Sequence, residues 1–269
     1  MTSAVHSQRT DLADPSVNAL TRFKALSQMF DAATKRYLSG CGLRRGWQCL
    51  EAGAGGGSIA VWLSKRVGST GQVIATDMDT RFLEANKLEN LRVWRHDITC
   101  DPLPNRAFDL VHTRMLLIHL PERDQVLKRL VAALKPGGWL VAEEFDGLSL
   151  PADPAISPGE VVLKTYQGMQ RLNKDRSVDG RYGRLLFGRF RALGLEKIAA
   201  EGHIFMVQKA VAAARLLRAS YELRRTAMLH AGYLSEGEFN REMEFIETSQ
   251  FMMPSPILWT TWGRRGNCE

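Results

Sequence analysis

The sequence contains few of the features that cross-link a protein, bind metals or anchor it in a membrane. Among its 269 residues are four cysteines, without CxxC spacing and without histidine partners at the spacing of a metal site. This predicts reduced thiols and no metal centre. No apolar run reaches the ~20 residues that a transmembrane helix needs, and residues 1–10 lack the apolar core of a signal peptide. We therefore expect a cytoplasmic protein with no membrane partner.

Concentrated positive charge is also missing, although the formal net charge is +7. The lysines and arginines are spread among apolar residues at helical spacing, most densely over residues 171–191. Such spacing favours solvated helix faces over a surface that binds polyanions. With 45% hydrophobic and 24% charged residues, the composition is that of a globular protein with ample material for a core. Nucleic acid is therefore not an expected partner.

Glycine is abundant, and its most informative cluster follows an apolar segment that ends in Glu51. Gly53, Gly55 and Gly57 predict a sharp turn that a ligand can approach closely, and Ser58 opens an amphipathic helix. A strand, a turn and a helix in this order direct free N–H groups at a ligand above the turn. The carboxylate of Glu51 would repel a pyrophosphate but suits a cationic ligand. A plain tight turn in another α/β protein remains an alternative on this motif alone.

Two further predicted strands, residues 71–77 and 91–97, also end in an acid. Asp77 lies 77 − 53 = 24 residues after the first glycine of the turn, close to the ~20-residue offset of ribose-binding carboxylates. The alternative for Asp77, a helix N-cap, fits Asp79 better, since Asp79 directly precedes an apolar helical segment. Ligands of open α/β sheets bind at the carboxyl ends of the strands, so Asp97 is a second candidate contact.

The order of the predicted elements indicates the fold class. Over residues 49–145 strands and helices alternate, which predicts an α/β fold with a doubly wound, mostly parallel sheet of about seven strands. Residues 147–269 are predicted to add helices, inserted as a substrate lid, and an antiparallel last strand. Residues 1–42 would form a tail and a cap helix before the binding core, residues 43–146, all within one continuous domain. The other predicted elements are helices at 19–38, 121–134, 161–172, 184–193, 210–230 and 236–247, and strands at 107–112, 139–145, 195–207 and 251–262.

Several short motifs resemble those of one family. The acid and glycines at 51–57, the Phe-Asp-Leu-Val strand at 108–111 and the Leu-Lys-Pro-Gly-Gly turn at 134–138 are similar to motifs of the class I S-adenosylmethionine-dependent methyltransferases, strongly so over residues 20–146. The segment 113–119 resembles both the phosphobase methyltransferases and those of the menaquinone and ubiquinone pathways. The resemblance implies a Rossmann-like fold, S-adenosyl-L-methionine as cofactor, and methyl transfer to a small organic acceptor such as a specialised metabolite.

The resemblance also implies a set of site residues. Cofactor contacts are expected at the glycine turn and at the ends of the first four strands, from Glu51, Gly53, Ala54, Gly55, Gly57, Asp77, Met78, Asp97, Ile98 and Thr113. Arg114, His119 and Phe145 are expected on the substrate side. His119 and Glu144 are candidate catalytic residues, and the alternatives are packing under the lid for His119 and a solvated strand end for Glu144. In phosphobase enzymes an upstream tyrosine assists the histidine, but the first tyrosine of this chain is Tyr37.

Three other functions remain open beside methyl transfer to a small molecule. A nicotinamide-dependent oxidoreductase is disfavoured by Glu51 before the glycines. Nucleic-acid methylation is suggested by the net charge, but the chain lacks the N/D-P-P-Y/F tetrapeptide with which amino-methylating enzymes hold a flipped base. A binding protein without catalysis is compatible with the same motifs. Because methyl transfer mainly requires alignment and exclusion of water, no single residue identifies the acceptor, and the oligomeric state, a homodimer included, stays open.

Overall fold

The computed structural model describes residues 17–84, 87–149 and 159–267. The predicted N-terminal tail, residues 1–16, and most of the proline-rich linker, residues 150–158, lie outside this part of the chain. The described residues form two compact units. We call them the sheet unit, which takes the described residues within 30–146, 181–203 and 258–269, and the helical unit, which takes those within 1–29, 147–180 and 204–257.

The strands in the described part of the chain are, in chain order, β1 (Gln48–Ala52), β2 (Gln72–Asp77), β3 (Leu91–Arg95), β4 (Phe108–Arg114), β5 (Leu134–Asp146), β6 (Glu196–His203), β7 (Met206–Gln208), β8 (Met252–Pro254) and β9 (Ile257–Arg264). A seven-stranded sheet has the order β3-β2-β1-β4-β5-β9-β6. The pairs β1–β2, β2–β3, β1–β4 and β4–β5 are parallel, whereas β6 and β9 are antiparallel. This confirms the doubly wound, mostly parallel sheet. The chain order reverses between β1 and β4, the place where such sheets bind ligands.

The helices are, in chain order, α1 (Val17–Gly40), α2 (Ser58–Val67), α3 (Arg123–Ala133), α4 (Gly159–Asp175), α5 (Tyr182–Ala192), α6 (Ala212–Glu222), α7 (Arg225–His230) and α8 (Glu236–Ile246), with short 3-10 turns at Leu117–His119 and Gly147–Ser149. The core of the sheet unit includes Leu63 and Val67 of α2 and Val73, Leu110 and Val141 of the strands, all without exposed surface. Strands that are buried on both faces carry continuous apolar runs, which is typical of parallel sheets.

The helical unit contains α4, α6, α7 and α8 and a two-stranded antiparallel sheet of β7 and β8. Its core is a separate cluster that includes Tyr221, Phe239 and Phe251. The helix predicted over residues 210–230 is two helices, because α6 ends before Leu223 and α7 starts two residues later. Since no glycine or proline marks this break in the sequence, helical spacing alone predicted one continuous helix.

Two predicted strands are each divided between the two sheets. The segment 195–207 forms β6 in the large sheet and β7 in the small one, and the segment 251–262 divides into β8 and β9. At the break, Phe205 donates its N–H to the Ser255 hydroxyl at 3.0 Å, and Ser255 donates its N–H to the Phe205 carbonyl at 2.7 Å. These bonds satisfy backbone groups where neither strand ladder continues.

Two local predictions in the first half also differ from the structure. β5 begins at Leu134, earlier than predicted, since Leu134 pairs with Phe108 of β4 ahead of a register shift. Residues 81–84 form turns instead of the helix expected after Asp79. The Asp79 carboxylate accepts the backbone N–H of Arg81 at 3.2 Å and pairs with its guanidinium at 2.7 Å. Such local bonds compete with helix formation.

The remaining helix predictions, at 19–38, 121–134, 161–172, 184–193 and 236–247, are confirmed by α1, α3, α4, α5 and α8. Among the described helices, none combines the length and apolarity that crossing a membrane requires. The domain limits at residues 42 and 146, the lid role of the added helices, the cytoplasmic location and the oligomeric state are not tested by the fold and remain predictions.

Candidate functional site

The glycine turn connects β1 to α2 at the carboxyl edge of the sheet. Gly53, Gly55 and Gly57 have φ angles of 71°, 51° and 79°, a region that residues with a Cβ rarely adopt. The turn is held against β2, since the N–H groups of Gly53 and Ala54 both donate to the Thr76 carbonyl at 2.9 Å. Helix α2 starts after Gly57 without a side-chain cap. The turn therefore combines a tight backbone bend with an open helix N-terminus, which favours a ligand there.

Asp77 ends β2 directly beside the glycine turn. Its Oδ2 accepts the N–H of Gly55 at 2.8 Å, and its Oδ1 accepts the N–H of Asp79 at 3.1 Å. Burial raises the pKa of Asp77, and these backbone donors act against that shift. Because a carboxylate has about four lone-pair sites, Asp77 can still accept two hydroxyl groups of a ligand. Met78, the next residue, is 37% exposed at the same strand end.

Asp97 lies just beyond β3 at the same edge of the sheet. β2 and β3 are parallel, and Asp77 at the end of β2 pairs with Arg95 at the end of β3. Asp97 follows Arg95 by two residues and therefore lies near the same edge as Asp77. The Asp97 Oδ1 accepts the N–H and the hydroxyl of Thr99 at 2.9 and 2.6 Å, which fixes the next turn. Ile98 is buried. The structure thus brings the glycine turn, Asp77 and Asp97 to one edge, whereas the roles predicted for Asp97 and Ile98 remain predictions.

The surroundings of Glu51 differ from the simplest expectation, in which its carboxylate has no partner in the protein and is available to a cationic ligand. It is 4% exposed, and its Oε2 lies 2.7 Å from Nδ1 of His112. The Nε2 of His112 lies 3.2 Å from Oε2 of Glu143. Burial lowers the pKa of His112, but Glu51 and Glu143 outweigh burial and raise it to about 9. The side chain that contacts the Glu51 carboxylate is therefore His112, which the sequence analysis did not assign to the site.

The partners of Glu143 and Arg114 come from three different elements. Glu143 accepts the hydroxyl of Thr34 in α1 at 2.6 Å and that of Thr260 in β9 at 2.7 Å. Burial acts to raise the pKa of Glu143, but the hydrogen bond from His112 prevails and holds that pKa below its ordinary value. Arg114 donates to the Thr34 hydroxyl at 3.0 Å and to Asp31 at 3.1 Å. Arg114 is thus engaged with the protein itself, which weakens its expected role as a substrate contact.

Two more of the predicted residues lie near the ends of β4 and β5. Thr113 is fully buried, and among the described residues its hydroxyl has no hydrogen-bond partner. Phe145 packs edge-on against Phe30, with ring centroids 5.8 Å apart. The first tyrosine, Tyr37, contacts His203, so the histidine it pairs with is not His119. A buried hydroxyl without a partner normally finds one in water or a ligand.

Glu144 supports the backbone of the segment that carries His119. It is fully buried, and its Oε1 accepts the N–H groups of Leu116 at 3.0 Å and Leu117 at 2.7 Å. Burial raises the pKa of Glu144 to about 8, against the effect of these donors. His119 ends the 3-10 turn that starts at Leu117 and is half-buried. Glu144 therefore fits a role in positioning this turn, and it does not lie at a solvated strand end.

Glu144→Gln should change how stability depends on pH. The pKa of Glu144 is higher in the folded chain than its ordinary value near 4.5, so between about 4.5 and 8 the folded state binds more protons than the unfolded state. The unfolding free energy of the wild type then falls as pH rises through this window. The variant lacks this titration, so near pH 8 it should exceed the wild type by at least ~1 kcal/mol.

Urea unfolding of both proteins at pH 5, 6, 7 and 8 measures this difference. Other buried acids, such as Glu242, are present in both proteins and cancel in the comparison. Parallel stability curves over this range would show that Glu144 is ionised in the folded chain.

The comparison with known families agrees with this geometry. Residues 50–142 match the model of the methyltransferase domain family. The matched range runs from the end of β1 to β5 and contains the glycine turn, Asp77, Asp97 and Thr113. This part of the chain is thus similar to methyltransferase domains, and the seven-stranded sheet has a Rossmann-like form.

Individual relatives share the same region. The chain is 34% identical over 122 residues to a demethylmenaquinone methyltransferase of Staphylococcus aureus, covering 44% of this chain and 51% of the relative. It is 36% identical over 123 residues to the ubiquinone/menaquinone biosynthesis C-methyltransferase UbiE of Laribacter hongkongensis, covering 44% and 50%. The chain thus spans about half the length of the curated relatives it matches. The solved YcgJ protein of Bacillus subtilis has a TM-score of 0.58 at 16% identity, over 88% of this chain and 99% of that one, which concerns the fold alone.

Proposed function

We propose that the chain is an S-adenosylmethionine-dependent methyltransferase that acts on a small organic acceptor. The observation that carries this proposal is the carboxylate of Asp77, which the N–H of Gly55 fixes at the rim of the glycine turn. The lone pairs that remain on this carboxylate suit the two hydroxyls of a ribose. The methyltransferase-domain match over residues 50–142 supports the same function.

The residues at this edge of the sheet fit the cofactor. Asp77 would hold the ribose, and Asp97 the adenine amino group, with Ile98 packed against the ring. The glycine turn would hold the methionine part. The Thr113 hydroxyl, which has no partner among the described residues, would offer one more hydrogen bond. When bound, the cofactor supplies an activated methyl group, and the chain has to align the acceptor with that group and exclude water.

On the acceptor side, His119 is the side chain best suited to accept a proton. It lies in the turn that the Glu144 carboxyl group holds through two backbone N–H groups, and imidazole is the most frequent general base of enzymes. Glu143 and Arg114 are less suited, since each is bonded to α1. The names of the curated relatives, which concern demethylmenaquinone and ubiquinone or menaquinone biosynthesis, support a small organic acceptor.

Calorimetric titration tests the assignment against the nicotinamide alternative. We expect S-adenosylmethionine and its demethylated product to bind with micromolar Kd, because both carry the ribose and adenine that Asp77 and Asp97 would hold. NADH should give no binding heat, since a carboxylate, Glu51, precedes the glycine turn at which a dinucleotide fold holds the pyrophosphate. Binding of NADH together with no binding of S-adenosylmethionine would reverse the proposed function.

A further inference from the structure

A series of buried and part-buried hydrogen bonds connects Glu51, two residues before the first glycine of the turn, to Ser58, which follows the last one. We call this series the buried polar circuit. Beyond the contacts of His112, Glu143 and Arg114 described above, the Ser58 hydroxyl, at the start of α2, donates to Asp31 Oδ1 at 3.1 Å. The circuit consists of Glu51, His112, Glu143, Thr34, Arg114, Asp31 and Ser58.

The geometry of His112 requires both of its ring nitrogens to carry a proton. Nδ1 faces the carboxylate of Glu51 and Nε2 faces that of Glu143, and an ionised carboxylate can only accept. Glu143 already accepts the hydroxyls of Thr34 and Thr260, as an ionised carboxylate does. His112 is therefore an imidazolium between two carboxylates. The raised pKa of His112, about 9 after the cost of burial, agrees with this geometry.

At the centre of the circuit, the positive charge of His112 offsets one of the two negative charges of Glu51 and Glu143. Glu51 and Glu143 are 4% and 1% exposed, and His112 has no exposed surface. Asp31 pairs with both Arg114 and Lys35, and Thr34 connects Arg114 to Glu143, on the Nε2 side of His112. Without the imidazolium, two buried carboxylates would face each other, which is strongly unfavourable. Other titratable groups of the described chain that act on the circuit are Tyr37 and Lys35 of α1 and Glu144 of β5.

We infer that His112 is a positioning residue for the methyl donor: as an imidazolium it binds Glu51 and Glu143 together and thereby ties the Glu51 end of the glycine turn to the part of α1 in the sheet unit, to which Ser58 ties the other end. This inference rests on the proposed function. Glu51 then has two roles: its carboxylate binds His112, and its backbone position lies next to the proposed donor site. It also explains why Arg114, at the end of β4, contacts α1 instead of open space.

A comparison of a single and a double variant separates the effect of charge from that of shape. His112→Gln removes the imidazolium and should raise the Kd of S-adenosylmethionine at least ~10-fold, as expected for lost charge-assisted bonds. His112→Gln combined with Glu143→Gln leaves one buried carboxylate, the net charge of the wild-type trio. The double variant should bind the donor at least ~3-fold better than His112→Gln alone, because the two residues are coupled. His230→Gln, at an exposed position of α7, is the matched control and should bind like the wild type.

The outcomes distinguish the inference from the proposed function. A wild type that does not bind the donor overturns both, whereas a wild type that binds and a His112→Gln variant with unchanged Kd overturn the inference alone. If the double variant binds the donor no better than His112→Gln, the shape of the His112 side chain and not its charge determines the Kd. That result overturns the role proposed for the charge of His112. Two further measurements on proteins that retain the imidazole do not depend on the folding of His112→Gln.

The first measurement is the nitrogen-15 NMR spectrum of the histidine rings of the wild type. One ring should keep both nitrogens protonated from pH 6 to 8; if every ring is a neutral tautomer at pH 8, the inference is wrong. The second is Thr34→Val, which cuts the link to α1 while it keeps the side-chain volume. This variant should weaken donor binding by ~3-fold or more and leave the protonated ring signal in place. A Kd equal to that of the wild type would show that the circuit does not act through α1.

Discussion

Replacing Asp77 by alanine is expected to weaken S-adenosylmethionine binding by about 1–3 kcal/mol, roughly 5- to 150-fold in Kd. The variant loses two charge-assisted bonds to the ribose and also the acceptor that fixes the Gly55 N–H at 2.8 Å. The demethylated product carries the same ribose, so its Kd should rise by the same factor. Calorimetry with both ligands measures the effect, and thermal unfolding checks that the variant is folded.

Asp79→Ala is the matched control for this experiment. Asp79 lies two residues away, but its carboxylate is bonded to Arg81, a pair with a half-exposed partner that contributes little free energy. Its Kd should stay within ~3-fold of the wild type. If Asp79→Ala weakens binding as much as Asp77→Ala, the effect comes from the conformation of the loop that both acids share and not from a contact of Asp77 with the ribose. An unchanged Kd for Asp77→Ala would remove Asp77 from the ribose role.

Much of the sheet and of its ligand-binding edge could be predicted because the signals are local. An apolar segment followed by an acid, as at Asp77, indicates both a buried strand and its end. The glycines at 53, 55 and 57 indicate left-handed backbone, and the φ angles confirm it. Parallel pairing then places all carboxyl ends of these strands at one edge. The fold class follows from the alternation of strands and helices, without any knowledge of long-range contacts.

The buried polar circuit could not be predicted, because it depends on register. His112 faces Glu51 only because β1 and β4 pair these two residues, and no local pattern in the sequence encodes that pairing. Arg114 and Thr34 are 80 positions apart in the chain and meet only through the packing of α1. A signal was present nonetheless: a histidine and two acids at buried strand positions require partners, since unpaired buried charges are costly. That requirement does not identify the partners.

The division of residues 195–207 shows a second limit of sequence analysis. Apolar alternation continues through the segment, so it predicted one strand, whereas the structure ends β6 at His203 and starts β7 at Met206. The break is stabilised by the reciprocal bonds of Phe205 and Ser255, which are 50 residues apart. Periodicity reports which face of a strand is buried, but not which sheet the strand joins.

Gly183→Ala is expected to cause the largest loss of stability. Gly183 is the second residue of α5, and a Cβ built on it would lie 2.4 Å from the carbonyl oxygen of Glu144 and 2.8 Å from that of Phe145. Both contacts are with backbone atoms of β5, which cannot rotate away as a side chain can. Overpacking of this kind costs typically ~1–3 kcal/mol, and we expect a value at or above the upper end.

Gly188→Ala, in the same helix, provides the internal reference. A Cβ at Gly188 meets no atom within 4 Å, so the substitution should raise the unfolding free energy by ~0.5–1 kcal/mol through helix propensity alone. Because Gly188→Ala changes helix propensity without a clash, the difference between the two variants in urea unfolding reports mainly the clash with β5. Equal stability of the two variants would mean that α5 moves away from the strand at no cost. If the clash instead displaces Glu144, the turn that carries His119 loses its support, and Gly183→Ala should lower turnover more than Gly188→Ala does.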